Sequence, residues 1–229
     1  MWRSKYGFTI LSLVALAAFA IASDSYWNPL SDEWRQWLGF APKNLLDFQW
    51  QRLFTSLILT AGEWKFIASF VMFGFCVGSV ERVYGTWRTL RLFLTSHLTV
   101  LLTLSAVILV AALAFQSDWA TRLATTRDIG PSAGYYGCLG AVLTRWPSRI
   151  SLPSFALIGA ILVVRLSVSA SQMPDDPSVF SADAAHLLAL PLGVMLAVGG
   201  YVQPKDALSP TDSSQLKASD EASGEDASS

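Results

Sequence analysis

A serine and a histidine, each near the start of an apolar, membrane-length segment, are the side chains best suited to chemistry. Ser132 lies in Gly-Pro-Ser-Ala-Gly-Tyr-Tyr (130–136), and His186 lies in Ala-His-Leu-Leu-Ala (185–189). Polar groups are costly to hold at membrane depth, so those found there are candidates for function. A serine hydroxyl is a weak nucleophile until a base takes its proton, and histidine is the usual base. The pair therefore suggests nucleophilic catalysis by Ser132 with His186 as the general base.

The same residues also fit a purely structural interpretation. Ser132, Tyr136 and Gly140 are spaced i, i+4 and i+8, so they share one helical face. Gly134 and Gly137 supply small surfaces that would let a second helix approach closely. A lone histidine in such a helix commonly hydrogen-bonds a neighbouring helix. Spacing alone therefore favours helix packing over catalysis, and the rest of the chain must decide.

The composition predicts an integral membrane protein. Of 229 residues, 52% are hydrophobic and only 14% are charged, and nine are tryptophans. The lipid bilayer is therefore an expected partner. A formal net charge of −1 without a basic stripe argues against a nucleic-acid partner. Cys76 and Cys138 have a spacing that matches neither a disulfide framework nor a zinc site, so we expect them to have neither a metal nor a redox role.

Apolar runs predict an all-α polytopic fold with six membrane-spanning helices. A helix needs about 20 residues to cross the hydrocarbon core, and the predicted segments are 6–22, 64–80, 92–115, 130–143, 152–168 and 182–202. The fourth segment is short, and its assignment depends on the serine motif and on an even number of spans. Lys and Arg gather in alternate connections, at residues 3–5, 82–91 and 145–149. Because positive charge marks the cytoplasmic side, both termini are predicted to lie inside.

The connection after the first predicted helix, residues 23–54, should form an outer loop. It carries acids and bases together with tryptophans, which suit the membrane interface. These tryptophans are Trp27, Trp34, Trp37 and Trp50. We expect the loop to be partly helical and to lie on the bilayer.

The two ends of the chain are distinct from its middle. Residues 203–229 consist mainly of Ser, Asp, Glu, Lys and Ala, which predicts a disordered cytoplasmic tail after a membrane domain of residues 1–202. The start has two interpretations. Arg3 and Lys5, followed by an apolar stretch and Ala-Ile-Ala at 20–22, also resemble a signal peptide with its cleavage site. Cleavage there would leave five spans.

The predicted topology lets the serine and the histidine meet. The fourth and sixth helices both run from outside to inside, so Ser132 and His186 both lie near the outer ends of their helices. No carboxylate is expected beside the histidine, because Asp183 should lie at the outer water boundary and a buried carboxylate in lipid is expensive. The ring of Tyr136 could hold the imidazole plane instead.

Two other ionisable residues are expected to lie away from such a site. Arg165 should lie near the outer end of the fifth helix, where its long side chain can reach the interface. His97 should lie in the cytoplasmic half of the third helix, on the wrong side for a pair at the outer face. It is expected to be a packing or hydrogen-bonding residue.

Four blocks, in order along residues 50–193, resemble the rhomboid family of intramembrane serine proteases. Gln-Arg-Leu-Phe-Thr at 51–55 is similar to the family's Trp-Arg-Leu-x-Thr. Glu-Arg-Val-Tyr-Gly-Thr-Trp-Arg at 81–88 is similar to its Glu-Arg-x-x-Gly-Ser-Trp-Arg. Gly-Pro-Ser at 130–132 matches its Gly-x-Ser, and Ala-His at 185–186 matches its Ala-His. The resemblance, which looks closer to a divergent branch of high-GC Gram-positive bacteria, implies a six-helix bundle in the bacterial plasma membrane.

The resemblance also implies roles for individual residues. Ser132 would be the nucleophile, His186 the general base and Tyr136 the ring stacked on that base. The glycines that let helices pack closely would be Gly130, Gly134, Gly140 and Gly193.

The second helix departs from the family pattern. Proteolytic rhomboids usually carry His, His and Asn where this chain has Thr60, Lys65 and Ser69, and those side chains help to bind the oxyanion. Losing one oxyanion donor in a serine protease costs roughly 100- to 1000-fold in rate. Lys65 would either replace a donor or extend to the outer interface. These three residues and Tyr136 are the candidates for the oxyanion and substrate site.

Two functions follow from the resemblance and its departures. The first is an intramembrane serine endopeptidase that cuts a transmembrane or juxtamembrane peptide bond with a Ser132–His186 dyad and no cofactor. The alternative is a catalytically inactive rhomboid-like pseudoprotease that binds transmembrane client proteins. A transporter is disfavoured, because the sequence has neither a repeated half nor interrupted helices at matching positions. Either function places the chain as a multi-pass protein in the cell membrane.

Overall fold

The computed structural model describes residues 5–173 and 176–203. Within these ranges the regular structure is helical, with one 3-10 turn at Ser56–Ile58 and two isolated β-bridges. The helices, numbered in chain order, are α1 (Gly7–Ala22), α2 (Asp32–Leu38), α3 (Lys43–Leu46), α4 (Arg52–Thr55), α5 (Glu63–Tyr84), α6 (Thr86–Phe115), α7 (Asp118–Thr125), α8 (Ser132–Leu143), α9 (Ser148–Gln172) and α10 (Pro177–Val198). The all-α prediction is confirmed. The predicted tail, beyond its first residue, lies outside the described residues.

Within residues 5–173 and 176–203, four helices are long and apolar enough to cross a membrane, namely α5, α6, α9 and α10. Helix α1 is apolar but has 16 residues, and α8 has 12. The predicted segments 6–22 and 130–143 therefore coincide with short helices. A total of six spans with both termini inside stays a prediction.

Helix α6 starts earlier than its predicted segment, 92–115. Gly85 separates it from α5 and has a φ of +86°, a conformation that glycine adopts without steric cost. The chain therefore turns directly from α5 into α6, which begins at Thr86. Arg88 and Arg91 consequently belong to the first turns of α6 and not to a connection.

Helix α8 lies at the centre of the helical bundle. All of its residues except Ser132 and Tyr136 are buried, and it packs against α5, α6 and α10. A Cβ atom added to Gly140 would collide with the Leu190 carbonyl of α10. A Cβ atom added to Gly193 of α10 would collide in turn with backbone of α8. The two helix backbones therefore touch, as small residues allow in membrane bundles, and this contact fixes α10 beside the start of α8.

The Glu81 carboxylate near the end of α5 fixes the start of α1. Its oxygens accept hydrogen bonds from the Phe8 N–H at 2.9 Å, the Thr9 N–H at 2.9 Å and the Thr9 hydroxyl at 2.7 Å. The Thr86 hydroxyl donates a further bond at 2.6 Å. The first N–H groups of a helix have no intrahelical acceptor. The buried Glu81 carboxylate accepts hydrogen bonds from these groups at the start of α1 and joins that start to the turn between α5 and α6.

The connection between α1 and α5 contains α2, α3 and α4, so the prediction that it is partly helical is confirmed. Its backbone pairs with the turn that precedes α8. The Phe40 N–H donates to the Asp128 carbonyl at 3.1 Å, and the Asp128 N–H donates to the Phe40 carbonyl at 2.7 Å. The Gly130 N–H donates to the Ser56 carbonyl at 2.9 Å. These bonds hold the connection against the N-terminal end of α8.

Candidate active site

Ser132 is the first residue of α8 and is partly buried. The turn before it contains Gly130, whose φ of +111° is a conformation that residues with a Cβ rarely adopt. This turn brings the chain from its bond with Ser56 into the start of the helix. Ser132 therefore lies at the amino end of a helix, where backbone N–H groups without helical acceptors can face a bound oxygen.

His186 lies in α10 with 8% of its surface exposed. Its ring is stacked on Tyr136 of α8, with ring centroids 4.4 Å apart and an interplanar angle of 26°. Ala185 and Ala189, which flank it on α10, pack with Ala133 in one small apolar cluster. The contact between these small side chains brings the imidazole next to the first turns of α8.

One cavity of about 530 Å³ has both candidate residues in its wall. It is formed by the start of α8, the first half of α10, the start of α5 and the turn before α8. The structure brings to this cavity every predicted catalytic and oxyanion candidate, namely Ser132, His186, Tyr136, Thr60, Lys65 and Ser69. Residues up to 126 positions apart in the chain, Thr60 and His186, therefore share one space, although their roles stay predictions.

The imidazole of His186 makes no hydrogen bond within the described residues. Both of its ring nitrogens are buried without a partner, so Ser132 and His186 share the cavity without a bond between them. Buried polar atoms are nearly always hydrogen-bonded, and an unsatisfied one costs about 1–3 kcal/mol. Catalytic hydrogen bonds are often long in the free enzyme and form only when substrate is bound.

Asp183 is buried and lies near the histidine, so the expectation that no carboxylate would lie beside His186 is wrong. It is 1% exposed, and its Oδ1 atom lies 2.8 Å from Nη2 of Arg165 on α9. The same oxygen lies 3.8 Å from Nδ1 of His186. One helical turn before the histidine, Asp183 points to the same side of α10, and the guanidinium offsets the cost of burying its charge. Arg165, with 52% of its side chain exposed, reaches this carboxylate and not only the interface.

His97 lies in the N-terminal half of α6, but it is not remote from the serine as predicted. It is 1% exposed, and with Ser132 and Ala133 it lines a narrow space too small for water. Its Nε2 atom lies 3.3 Å from the Leu53 carbonyl, so its predicted hydrogen-bonding role agrees with the structure. The sequence placed it too far away because α6 starts earlier than the apolar run.

Asp128 is a cavity residue that the sequence analysis did not assign. It lies in the connection between α7 and α8, four residues before the serine, and its Oδ1 atom accepts the Ile129 N–H at 2.8 Å. Burial of the carboxyl raises its pKa from 3.8 to about 6, although this hydrogen bond lowers it. Its closeness to the serine in the sequence was the available signal.

Positive side chains also line the cavity. They belong to Arg35, Lys65, Arg127 and Arg165. Burial lowers the pKa of Arg127, and the nearby positive charge of Arg52 lowers it further. Lys65, on the first turn of α5, is exposed. Within the described residues, no group of three or more His, Cys, Asp or Glu side chains is placed to hold a metal ion.

A protein-family model described as Rhomboid domain matches residues 47–202, which is more than half of the chain. The match includes the serine, the histidine and every other residue of the cavity wall except Arg35. Neither a curated protein nor a solved structure matches the chain.

Proposed function

The chain belongs to the rhomboid family, and from that premise we propose that it is an intramembrane serine protease. It would cut a peptide bond in or beside a transmembrane segment of another protein. Ser132 would be the nucleophile and His186 the general base. The observation that carries the proposal is the cavity at the start of α8, whose wall contains both Ser132 and the buried His186, an imidazole without a hydrogen-bond partner among the described residues.

The chemistry follows from where these groups lie. The Ser132 Oγ atom attacks the peptide carbonyl carbon while Nε2 of His186 takes the hydroxyl proton. The carbonyl oxygen becomes an oxyanion, and the N–H groups of the first turn of α8 stabilise it. His186 then gives its proton to the leaving amine, which produces an acyl-enzyme on Ser132. A water molecule, deprotonated by His186, then attacks the ester carbonyl. The bond from that carbon to the Ser132 Oγ atom breaks, the product leaves with its new carboxyl end, and His186 returns the proton to the serine.

Three residues just before and within the first turns of α5 complete the oxyanion and substrate site in this proposal. Thr60, Lys65 and Ser69 stand where proteolytic rhomboids usually carry His, His and Asn, and all three line the cavity. Hydroxyl groups and an ammonium group can donate hydrogen bonds to an oxyanion. They would supply the donors that the usual side chains supply elsewhere in the family.

The membrane arrangement is part of the same proposal. Six spans, with α1 and α8 added to the four long helices and both termini cytoplasmic, would place the cavity in the outer half of a bacterial plasma membrane. A substrate helix would have to unwind locally at the cavity, because its carbonyls otherwise accept helical hydrogen bonds.

A pseudoprotease is the second candidate function, and two observations favour it. Ser132 and His186 share the cavity without a hydrogen bond between them, and the usual His, His and Asn of the second span are replaced. In that case the cavity would bind transmembrane segments of client proteins without cutting them.

Labelling with a fluorophosphonate probe separates the two functions. The probe reacts with a serine only when a base activates it, so we expect the detergent-solubilised wild type to be labelled. Ser132→Ala and His186→Ala should abolish labelling, while Ser167→Ala should not, because that hydroxyl lies on the exposed face of α9 and bonds the Val163 carbonyl. Folded wild-type protein that stays unlabelled would overturn the protease and favour the client-binding function.

A further inference from the structure

The ion pair between Asp183 and Arg165 is an expensive feature for a helix that crosses a membrane. The carboxylate is 1% exposed and lies within a candidate span. Charges in such positions are rare and usually mark function. The partner guanidinium is half exposed, and an ion pair with a buried member is weak evidence for stability, because the cost of desolvation offsets the attraction. The position of Asp183 relative to His186 explains the buried carboxylate better than a contribution to stability does.

A single oxygen of Asp183 lies between two cationic or potentially cationic groups. The distance from Oδ1 is 2.8 Å to Nη2 of Arg165 and 3.8 Å to Nδ1 of His186. A displacement of about 1 Å would bring the second distance into the range of a hydrogen bond. The carboxylate therefore lies near Nδ1 of His186. In the proposed mechanism the other ring nitrogen, Nε2, accepts the proton of Ser132.

Stacking on Tyr136 fixes the plane of the imidazole but not the nitrogen that carries the proton. A neutral imidazole can act as a base only through its unprotonated nitrogen. A carboxylate beside Nδ1 favours the proton on Nδ1 and leaves Nε2 free to accept the proton of the Ser132 hydroxyl. It also stabilises the imidazolium that forms during the attack.

We propose that Asp183 is a positioning residue that sets the tautomer and ring orientation of His186, with Arg165 keeping the carboxylate ionised. The site then works with a carboxylate, an imidazole and a hydroxyl in series. This inference rests on the proposed function and deepens it.

The tautomer of His186 can be measured without any activity. The chain has two histidines, so nitrogen NMR of protein labelled in histidine gives two sets of ring signals, and His97→Gln identifies those of His186. At alkaline pH we expect the proton on Nδ1 of His186 in the Ser132→Ala background. Asp183→Asn should move it to Nε2, while Asp118→Asn, which removes an exposed carboxylate on α7, should leave it in place. The same His186 tautomer with and without the Asp183 carboxylate would overturn the inference.

The labelling rate gives a second readout when the serine is active. Asp183→Asn should slow fluorophosphonate labelling roughly 10- to 100-fold without abolishing it, and Asp118→Asn should not. Thermal unfolding of each variant shows whether it is folded, and the near-isosteric Asp183→Asn change avoids a cavity. An unlabelled wild type would refute the proposed function while the tautomer still tests Asp183. Equal labelling of wild type and Asp183→Asn would refute the role of Asp183 and leave the protease standing.

Discussion

The Tyr136 ring lies stacked on the His186 imidazole, with centroids 4.4 Å apart. The tyrosine comes from α8, one helical turn after Ser132, so the helix that carries the proposed nucleophile also holds the proposed base. Because the two helices touch through glycine, a small change in their packing would move both rings. The relationship makes the geometry of the site depend directly on the contact between α8 and α10.

Tyr136→Phe should label with fluorophosphonate at nearly the wild-type rate, because it keeps the ring. Tyr136→Ala should be about 10-fold slower, since aromatic pairs of this kind contribute roughly 0.5–1.5 kcal/mol and the imidazole would lose one wall. The measurement is the labelling rate of folded protein. Equal rates for the Ala and Phe variants would show that the ring does not hold the base.

Gly193→Ala should destabilise the protein by about 1–3 kcal/mol or more, because the added methyl group would collide with the backbone of α8. The matched control is Gly159→Ala on α9, where the added Cβ would meet no atom within 4 Å. The control should be neutral or slightly stabilising, because alanine favours a helix over glycine. Thermal unfolding in detergent compares the two, and equal losses would contradict the close approach of α8 and α10.

Glu81→Ala should lower the free energy of unfolding by about 3 kcal/mol, because hydrogen bonds to a charged group each contribute about 1.5–3 kcal/mol. The change leaves N–H groups of Phe8 and Thr9 without the acceptor that the structure gives them. Limited proteolysis should then cut near α1 more readily. Glu33→Ala, on the exposed first turn of α2, is the control and should behave like the wild type.

Asp128 should make stability depend on pH. Its folded-state pKa of about 6 lies above its ordinary value of 3.8, so the folded protein binds the proton more tightly than the unfolded chain. Protonated Asp128 therefore contributes to the free energy of unfolding in full below pH 3.8, and this contribution is lost as pH rises through about 6. Asp128→Asn should make the unfolding temperature less dependent on pH between 3.8 and about 6. A variant that keeps the full wild-type pH dependence would exclude Asp128 as its source.

The sequence was sufficient to predict the helical class, the family and six of the side chains that line the cavity. These depend on local patterns, namely long apolar runs and the Gly-x-Ser and Ala-His motifs. Such patterns can be recognised in the sequence without knowledge of the packing. The resemblance to the rhomboid family also implied close helix packing at Gly140 and Gly193. Both glycines lie where the contact between α8 and α10 is closest.

What the sequence did not predict depends on contacts between distant segments. The burial of Asp183 is possible because Arg165 reaches it from another helix, and no local pattern encodes that pairing. The place of His97 depended on the start of α6, which Gly85 sets through its backbone conformation. The pairing of Phe40 with Asp128 joins segments more than 80 residues apart.

The most direct test of the account is to locate the fluorophosphonate adduct by mass spectrometry on protein reconstituted in lipid bilayers. The account predicts one adduct, on the peptide that contains Ser132, and its loss in His186→Ala. An adduct on another serine, or none on folded wild-type protein, would contradict the claim that Ser132 is a nucleophile activated by His186.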